Sequence, residues 1–244
     1  MVIRVLVNGA FGRMGQMTVN AILADGRFLL VGQTGRTHHL ESAIRDSNAE
    51  VVVDFTSADA VFSNTKTIIL TGARPVIGTS GLTSDHVKTL AKLALEKKIG
   101  GIVAPNFSLG AVVMMKYAAE IARYLPHAEI IEMHHDEKHD SPSGTAIHSA
   151  EMLASASPEI NASLAPSHET LPHARGAMHH GIPIHAVRLP GLLAHQQILF
   201  GNSGETLSLT HNSIDRTCFM PGVLLAIEHV LALDQLVCGL EHIL

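Results

Sequence analysis

Tryptophan is missing from this chain, and tyrosine occurs only twice in 244 residues. With 46% apolar and 16% charged residues, the composition is that of an ordinary globular protein poor in aromatics. No Lys/Arg cluster occurs, and the net charge is 17 − 22 = −5 with histidine neutral. That balance excludes nucleic acid as the main partner. It does not exclude a small anionic ligand, which meets only local charge. Cys218 and Cys238 form neither a CxxC pair nor a zinc spacing, so a reducing cytoplasm is the expected location. No apolar run approaches the roughly 18 residues of a membrane span, and no charged-then-apolar leader precedes the strand-like VIRVLV. No membrane partner is expected, and the Asn-x-Ser triplets at Asn106 and Asn161 read as chance.

Histidine is abundant, with 17 copies. A few catalytic histidines among surface ones explain this more simply than a metal protein does. Length suits one large domain or two small ones. The first half alternates: apolar strand-like runs at 2–7, 28–34, 51–55, 74–78 and 100–104 are separated by helical spacing at 13–24, 39–46, 58–70 and 84–98. Continuously apolar strands alternating with helices imply a parallel sheet covered on both faces, with right-handed crossovers. After Pro105 the pattern changes to a long helix (108–124), a strand (128–135), a helix (143–155) with Ser143 as a candidate N-cap, and a long loop (156–182). Three alternating runs at 182–189, 195–201 and 205–211 read as antiparallel strands, with a hairpin at Asn202-Ser203-Gly204. A closing helix at 215–233 is interrupted by Pro221-Gly222. The fold class is therefore α/β: a Rossmann-like nucleotide domain (1–106 plus 215–244) with an inserted α+β domain (107–214) carrying a mixed or antiparallel sheet.

The first strand runs into NGAFGRMG, with Gly9, Gly12 and Gly15. A strand, a glycine turn and a helix starting near Arg13 suit pyrophosphate, because glycines admit close approach and a helix N-terminus offers N–H groups and a positive dipole end. A tight turn with no ligand is the plainer alternative, since the spacing is GxxGxxG. At the end of the second strand stands Gln33-Thr34-Gly35-Arg36, with no carboxylate for a ribose 2′-hydroxyl. Arg36 suits a 2′-phosphate instead, favouring NADPH over NADH; otherwise it points into solvent. Loops at the ends of strands four and five, Gly78-Thr79-Ser80-Gly81 and Ala104-Pro105-Asn106-Phe107, sit where open α/β sheets bind ligands.

The densest chemistry lies in EMHHDEKHDSPSGTA, residues 132–146. Lys138 offers three N–H donors on a point charge. Ser143-Gly144-Thr145 opens a helix whose free N–H groups form an anion site. A neighbouring histidine supplies a group that titrates near neutrality. His134 and His135 point to opposite faces of a strand, so both reach one pocket only if the strand ends there. His135 and His139 with Asp136 and Asp140 could ligate a metal, but Pro142 and the absence of helical spacing speak against it. Arg216 either meets a substrate carboxylate or caps a helix, and Asp54 reads as structural.

Taken in order, NGAFGRMG, VDFT, GTSG, APNFSLG, EMHHDEKHDSPSGTA, RLPG and HNSIDRTCFMPG resemble the pattern of the 4-hydroxy-tetrahydrodipicolinate (dihydrodipicolinate) reductases over essentially the whole chain. The resemblance implies a two-domain enzyme of diaminopimelate and lysine biosynthesis, a homotetramer assembled through the inserted domain's sheet. It implies NADH- or NADPH-dependent reduction of a cyclic imine dicarboxylate, with the 4-hydroxyl leaving as water. Carried onto this sequence, it makes His134 the proton donor/acceptor and Lys138 a second proton donor that also meets substrate. His135, Ser143, Gly144 and Thr145 bind a substrate carboxylate. Gly9, Ala10, Phe11, Gly12, Arg13, Met14, Arg36, Gly78, Thr79, Ser80, Ala104, Pro105, Asn106 and Phe107 line the cofactor, and no metal is implied. Many members carry Glu-Arg where this chain has Gly35-Arg36, which strengthens the expectation of NADPH. Two other classes fit less well: a non-catalytic NADPH-binding regulator, which would not need HHxxK followed by SGT, and an aspartate dehydrogenase-like oxidoreductase, which would not need a site for two carboxylates on one ring.

Overall fold

The computed structural model describes residues 2–165 and 168–244, so positions 166 and 167 of the expected 156–182 loop lie outside the described residues. In chain order the elements are β1 (Ile3–Asn8), α1 (Arg13–Leu23), β2 (Phe28–Thr34), α2 (Leu40–Ser47), β3 (Val51–Asp54), α3 (Val61–Leu70), β4 (Arg74–Ile77), α4 (Ser84–Lys97) and β5 (Gly101–Val103). Then come α5 (Leu109–Ala122), β6 (His127–His134), α6 (Gly144–Ala156), β7 (Ala177–His179), β8 (Ile182–Arg188), β9 (Ala194–Asn202) and β10 (Glu205–Ser213). The chain ends with a 3-10 turn (Arg216–Phe219), α7 (Met220–His229), a further 3-10 turn (Val230–Ala232), β11 (Leu236–Cys238) and a last 3-10 turn (Leu240–Ile243). Two units result, one running to Ser108 and resuming at Arg216–Leu244, the other spanning Leu109–Asp215.

The first unit is built on a six-stranded parallel sheet in the order β11-β5-β4-β3-β1-β2. Its strands are short, and the inner ones are apolar and largely buried; all four residues of β3 are buried, as a sheet covered on both faces demands, whereas the edge strand β2 is partly exposed. Leu6, Val52, Ile68, Ile69, Ile77 and Leu90 form the centre of one core. The chain steps from β1 out to β2, then returns across β1 to β3, which makes the β1/β3 boundary the topological switch point. The loops after β1, β2, β3, β4 and β5 all leave the same end of this parallel sheet.

The C-terminal segment corrects the sequence reading. Residues 215–233 are not one interrupted helix. Pro221 lies in the first turn of α7, where a missing N–H costs nothing, so it starts the helix rather than breaking it. Beyond it, Leu236–Cys238 adds a sixth strand beside β5.

The second unit carries a five-stranded mixed sheet, β10-β9-β6-β8-β7. Helices α5 and α6 pack on it through Ala118, Ala122, Ala146 and Ala150, whose small side chains bring the helices close to Ile130, Ile184, Ile198 and Phe200. β9 and β10 form the expected hairpin, closed by Asn202 paired with Glu205 and by Gly204 at φ 83. The expectation of three consecutive antiparallel strands fails at β8. It runs parallel to β6, which separates it from β9, and pairs antiparallel only with the short β7 inside the long loop. The opposite alternation of β6 and β9 leaves Ile131, Met133 and Leu199 partly exposed.

Candidate active site

In the first unit, the turn after β1 holds Gly9 at φ 81, and a side chain there would collide with the Phe55 carbonyl. The turn is pinned by N–H bonds from Gly9 (2.9 Å) and Ala10 (3.0 Å) to the Thr34 carbonyl of β2. Gly12 differs from Gly9. It is the exposed N-cap of α1, in ordinary extended geometry, and a Cβ on it would meet nothing closer than 3.5 Å. The chain itself has no steric need for glycine at this point, and the glycine leaves the helix end open to close approach. The first turn of α1 carries no acidic residue and no side-chain cap, so its N–H groups and dipole suit a dinucleotide pyrophosphate. After β2, Arg36 is exposed, and among the described residues no ion pair or hydrogen bond is seen to hold its guanidinium. Gly35 before it lies against the exposed Phe11, whose ring would be 2.9 Å from a Cβ at that position. His38 stacks on the other part of this turn, 5.9 Å from the Phe11 ring.

Asp54, at the switch point, is fully buried and saturated with donors. Asn8 Nδ2 (2.8 Å), Asn64 Nδ2 (3.0 Å), Thr56 Oγ1 (2.7 Å), Thr79 Oγ1 (2.6 Å) and Thr56 N–H (3.2 Å) all donate to it. Such a carboxylate is structural. The same network changes the part assigned to Thr79: its hydroxyl faces Asp54 and accepts from Thr56 N–H at 2.7 Å. Phe107 is likewise buried, its ring edge-on to Phe55 at 5.8 Å, with Gly78 fitted against both rings. Phe107 and Gly78 shape the floor of the loop cluster by packing. Asn106 forms a turn, accepting from Ser108 N–H at 2.8 Å. Ser80 and Pro105 remain exposed at the same strand ends, and Ala104 is buried.

In the second unit, β6 ends at His134 and the chain turns at His135, whose carbonyl accepts from Lys138 N–H at 3.2 Å. The strand thus ends between the two histidines, which frees His135 from the strict alternation of the strand. Period-two alternation places Glu132 and His134 on one face, and register places Arg188 of β8 beside His134. Glu132 is fully buried. It receives Arg188 Nη2 (2.7 Å) and Ser143 N–H (3.1 Å) on Oε1, and Arg188 Nη1 (2.8 Å) on Oε2, which also lies 2.5 Å from His134 Nδ1. Burial pushes the Glu132 carboxyl up, but the hydrogen bonds from His134 and Arg188 outweigh it and hold the group below its ordinary value. Arg188 also donates to the carbonyls of Lys138 (3.3 Å) and Asp140 (2.7 Å), fixing the loop that carries the lysine. Lys138 Nζ lies 2.6 Å from both oxygens of Asp140, and this contact draws the Asp140 carboxyl down.

Ser143 is the N-cap of α6, its hydroxyl accepting from Ala146 N–H at 3.2 Å. Its own N–H is committed to Glu132, so Gly144 and Thr145 supply the next amides of the helix start. A Cβ on Gly144 would meet nothing within 4 Å, so here too the glycine is dispensable to the fold. Arg216, at the start of its 3-10 turn, belongs to the first unit. Among the described residues no group of three or more His, Cys, Asp or Glu is arranged to hold a metal, and no helix is long and apolar enough to cross a membrane. The sequence reading missed Glu132 and Arg188. A lone Glu among the apolar residues of EIIEM was the available signal, because a buried carboxylate requires a partner.

A parallel-sheet nucleotide unit with a glycine turn at its switch point, joined in one chain to a mixed-sheet unit bearing a histidine, a lysine and a capped helix start, defines a dinucleotide-binding oxidoreductase. Comparisons with known proteins are specific. Residues 3–107 match the family model for the dihydrodipicolinate reductase N-terminus, and residues 110–244 that for its C-terminus. The chain belongs to the dihydrodipicolinate reductase family. It is 54% identical over 241 residues to the 4-hydroxy-tetrahydrodipicolinate reductase of Legionella pneumophila (strain Lens), covering 99% of each chain. It is 49% identical over 244 residues to that of Coxiella burnetii (strain RSA 493 / Nine Mile phase I), covering 100% of each. A dipicolinate-bound dihydrodipicolinate reductase from Paenisporosarcina sp. TG-14 superposes with a TM-score of 0.89 at 43% identity over 100% of both chains. The fold alone is shared with GenD2 of gentamicin A biosynthesis, at 14% identity and a TM-score of 0.66. The chain is an oxidoreductase that reduces the dihydrodipicolinate intermediate of lysine and diaminopimelate biosynthesis.

Proposed function

We propose that this chain reduces 4-hydroxy-tetrahydrodipicolinate to tetrahydrodipicolinate with NADPH as the preferred cofactor, the 4-hydroxyl leaving as water. When bound, the reduced nicotinamide supplies the hydride. Gly12 and the first amides of α1 hold the pyrophosphate, with Ala10, Arg13 and Met14 beside it, and Arg36 pairs with the 2′-phosphate. Gly35 leaves no carboxylate for the NADH ribose. One substrate carboxylate rests on the Gly144 and Thr145 amides with Lys138 and His135 around it, which fixes the ring in place. His134 supplies the proton that follows hydride addition, and Lys138 assists as a second donor.

One observation carries this reading: the single carboxylate of Glu132 touches both the His134 ring and the Ser143 amide. The proton donor and the anion-binding helix start are therefore tied to one fixed point. The grip of Lys138 on the Asp140 carboxylate supports it, because the loop already offers its ammonium to a carboxylate. The partly exposed sheet face with Ile131, Met133 and Leu199 supports a homotetramer assembled through this unit.

The test generates the hydroxy-imine in situ from pyruvate and aspartate semialdehyde and follows nicotinamide absorbance. Protein-dependent loss is expected, faster with NADPH than with NADH. Under the same conditions His134→Gln should lower kcat by roughly 10²-fold while leaving NADPH affinity intact. Full activity in that variant would remove His134 from the chemistry.

A further inference from the structure

We infer that Glu132 is a positioning residue for this reaction: clamped by Arg188, it holds His134 by Nδ1 and so fixes Nε2 as the nitrogen that exchanges the proton. The inference rests on the proposed role of His134.

The Glu132 side chain is fully buried, and the side chain of Arg188 is 19% exposed. A buried charge survives only where it is paired and its remaining lone pairs are filled. Here four donors converge on one carboxylate: both Arg188 Nη groups, the Ser143 amide and His134 Nδ1. Arg188 cannot turn away, because it also donates to the carbonyls of Val187 (2.8 Å), Lys138 (3.3 Å) and Asp140 (2.7 Å). These bonds hold the carboxylate in place, with Oε2 presented to Nδ1 of the imidazole.

A carboxylate accepts and does not donate. Nδ1 therefore carries its hydrogen in both protonation states of the ring. The imidazolium gives up the Nε2 proton as the substrate's double bond takes up a hydride, so hydride and proton together saturate one bond. His134 returns to the neutral Nδ1–H tautomer, and Glu132 neither gains nor loses a proton. This is a different part from the one Lys138 plays, and different from a structural clasp, whose loss would loosen the loop without regard to the ring's tautomer.

Glu132→Gln separates these. Glutamine offers one acceptor and one NH2 to four donors. With Arg188 and the Ser143 amide holding the acceptor, the NH2 meets the imidazole and reverses its tautomer. Kinetics with NADPH and in situ substrate, NADPH binding, and ¹⁵N shifts of the His134 ring would be measured for wild type, Glu132→Gln, His134→Gln and the double variant. Expected for Glu132→Gln are a kcat loss of about 10²-fold, a substrate KM within about threefold, unchanged NADPH affinity and loss of the Nδ1–H tautomer. The double variant should be no slower than His134→Gln, since both changes remove one function. A Glu132→Gln enzyme within threefold of wild-type kcat, an unchanged tautomer, or multiplied losses in the double variant overturns the inference. A slow His134→Gln beside a fast Glu132→Gln sinks this inference alone, whereas a fast His134→Gln sinks the reading beneath it. Should Glu132→Gln fail to fold, Arg188→Lys keeps the charge but loses the two-pronged grip. It should lower kcat about tenfold with substrate KM nearly unchanged and the Nδ1–H tautomer kept, because the carboxylate still accepts from that nitrogen; a wild-type kcat or a reversed tautomer would overturn the proposal.

Discussion

The ammonium of Lys138 lies 2.6 Å from each carboxylate oxygen of Asp140. The site's own loop thus supplies a carboxylate to the cation that a dicarboxylate substrate would use. On the proposed reading a substrate carboxylate competes with Asp140 for Lys138, and only mildly, because the Asp140 side chain is 64% exposed. Exposed pairs contribute about 0.2–1 kcal/mol, a factor of up to about five in binding. Asp140→Asn should therefore tighten pyridine-2,6-dicarboxylate by about two- to fivefold in a calorimetric titration. Lys138→Ala should weaken it by tenfold or more and raise the substrate KM.

Gly144 gives a test in which stability and function move in opposite directions. It occupies the first turn of α6 with open space on its Cβ side. Alanine there should raise stability by up to about 1 kcal/mol, since glycine is the poorer helix former. If a carboxylate sits against that backbone, the same methyl should weaken dicarboxylate binding by about tenfold. Thermal melts and titrations of Gly144→Ala check both. Gly15→Ala is the contrast: its Cβ would collide with the Gly9 carbonyl, so it should lose stability outright.

Arg36 is the proposed reader of the 2′-phosphate. Arg36→Ala should weaken NADPH about tenfold and leave NADH nearly unchanged, as measured by fluorescence titration of each cofactor. An equal loss for both would remove Arg36 from that role. Gly35→Glu would add the missing ribose carboxylate, but the Phe11 ring stands 2.9 Å from the new Cβ. Improved NADH binding should therefore require Phe11→Ala in the same chain.

His211 predicts a pH dependence. Burial lowers its value first, and the nearby His195 adds to this, from an ordinary 6.5. Gly110, at the start of α5, packs against its ring. The unfolded chain then binds a proton that the folded chain refuses, so stability rises with pH across this window. The contribution is complete above about 6.5 and is lost as pH falls towards the folded value. Denaturant midpoints measured from pH 7.5 to 5 should fall, and His211→Asn should flatten part of that slope.

The alternation of apolar strands with helices was enough to read the parallel sheet, because each buried strand is local, β-branched and bounded by a turn. β11 was not legible: three residues beyond a helix gain their strand character only by pairing Leu236 with Gly101, far away in sequence. β8 was legible as a strand but not as the parallel neighbour of β6, since register is set by tertiary packing. The candidate site divides in the same way. His134, Lys138 and Ser143-Gly144-Thr145 lie in one contiguous block, where residue type and helix-start geometry announce anion and proton chemistry. Arg188 lies 56 positions from Glu132, and only the cross-strand register opposite His134 brings it there. Thr79 and Phe107 lie in the loops that follow β4 and β5, as the sequence pattern expects. The Thr79 hydroxyl and the Phe107 ring turn inward, to a buried carboxylate and to packed rings that the local sequence does not reveal.

In the proposed site the start of α6 and Lys138 grip a dicarboxylate ring beside His134. The most direct measurement is a crystal structure of this chain with NADPH and pyridine-2,6-dicarboxylate. Carboxylate oxygens are expected within about 3 Å of the Gly144 or Thr145 amide and of Lys138 Nζ, with Asp140 released. A dicarboxylate bound elsewhere, with Lys138 still held by Asp140, would contradict the proposed site.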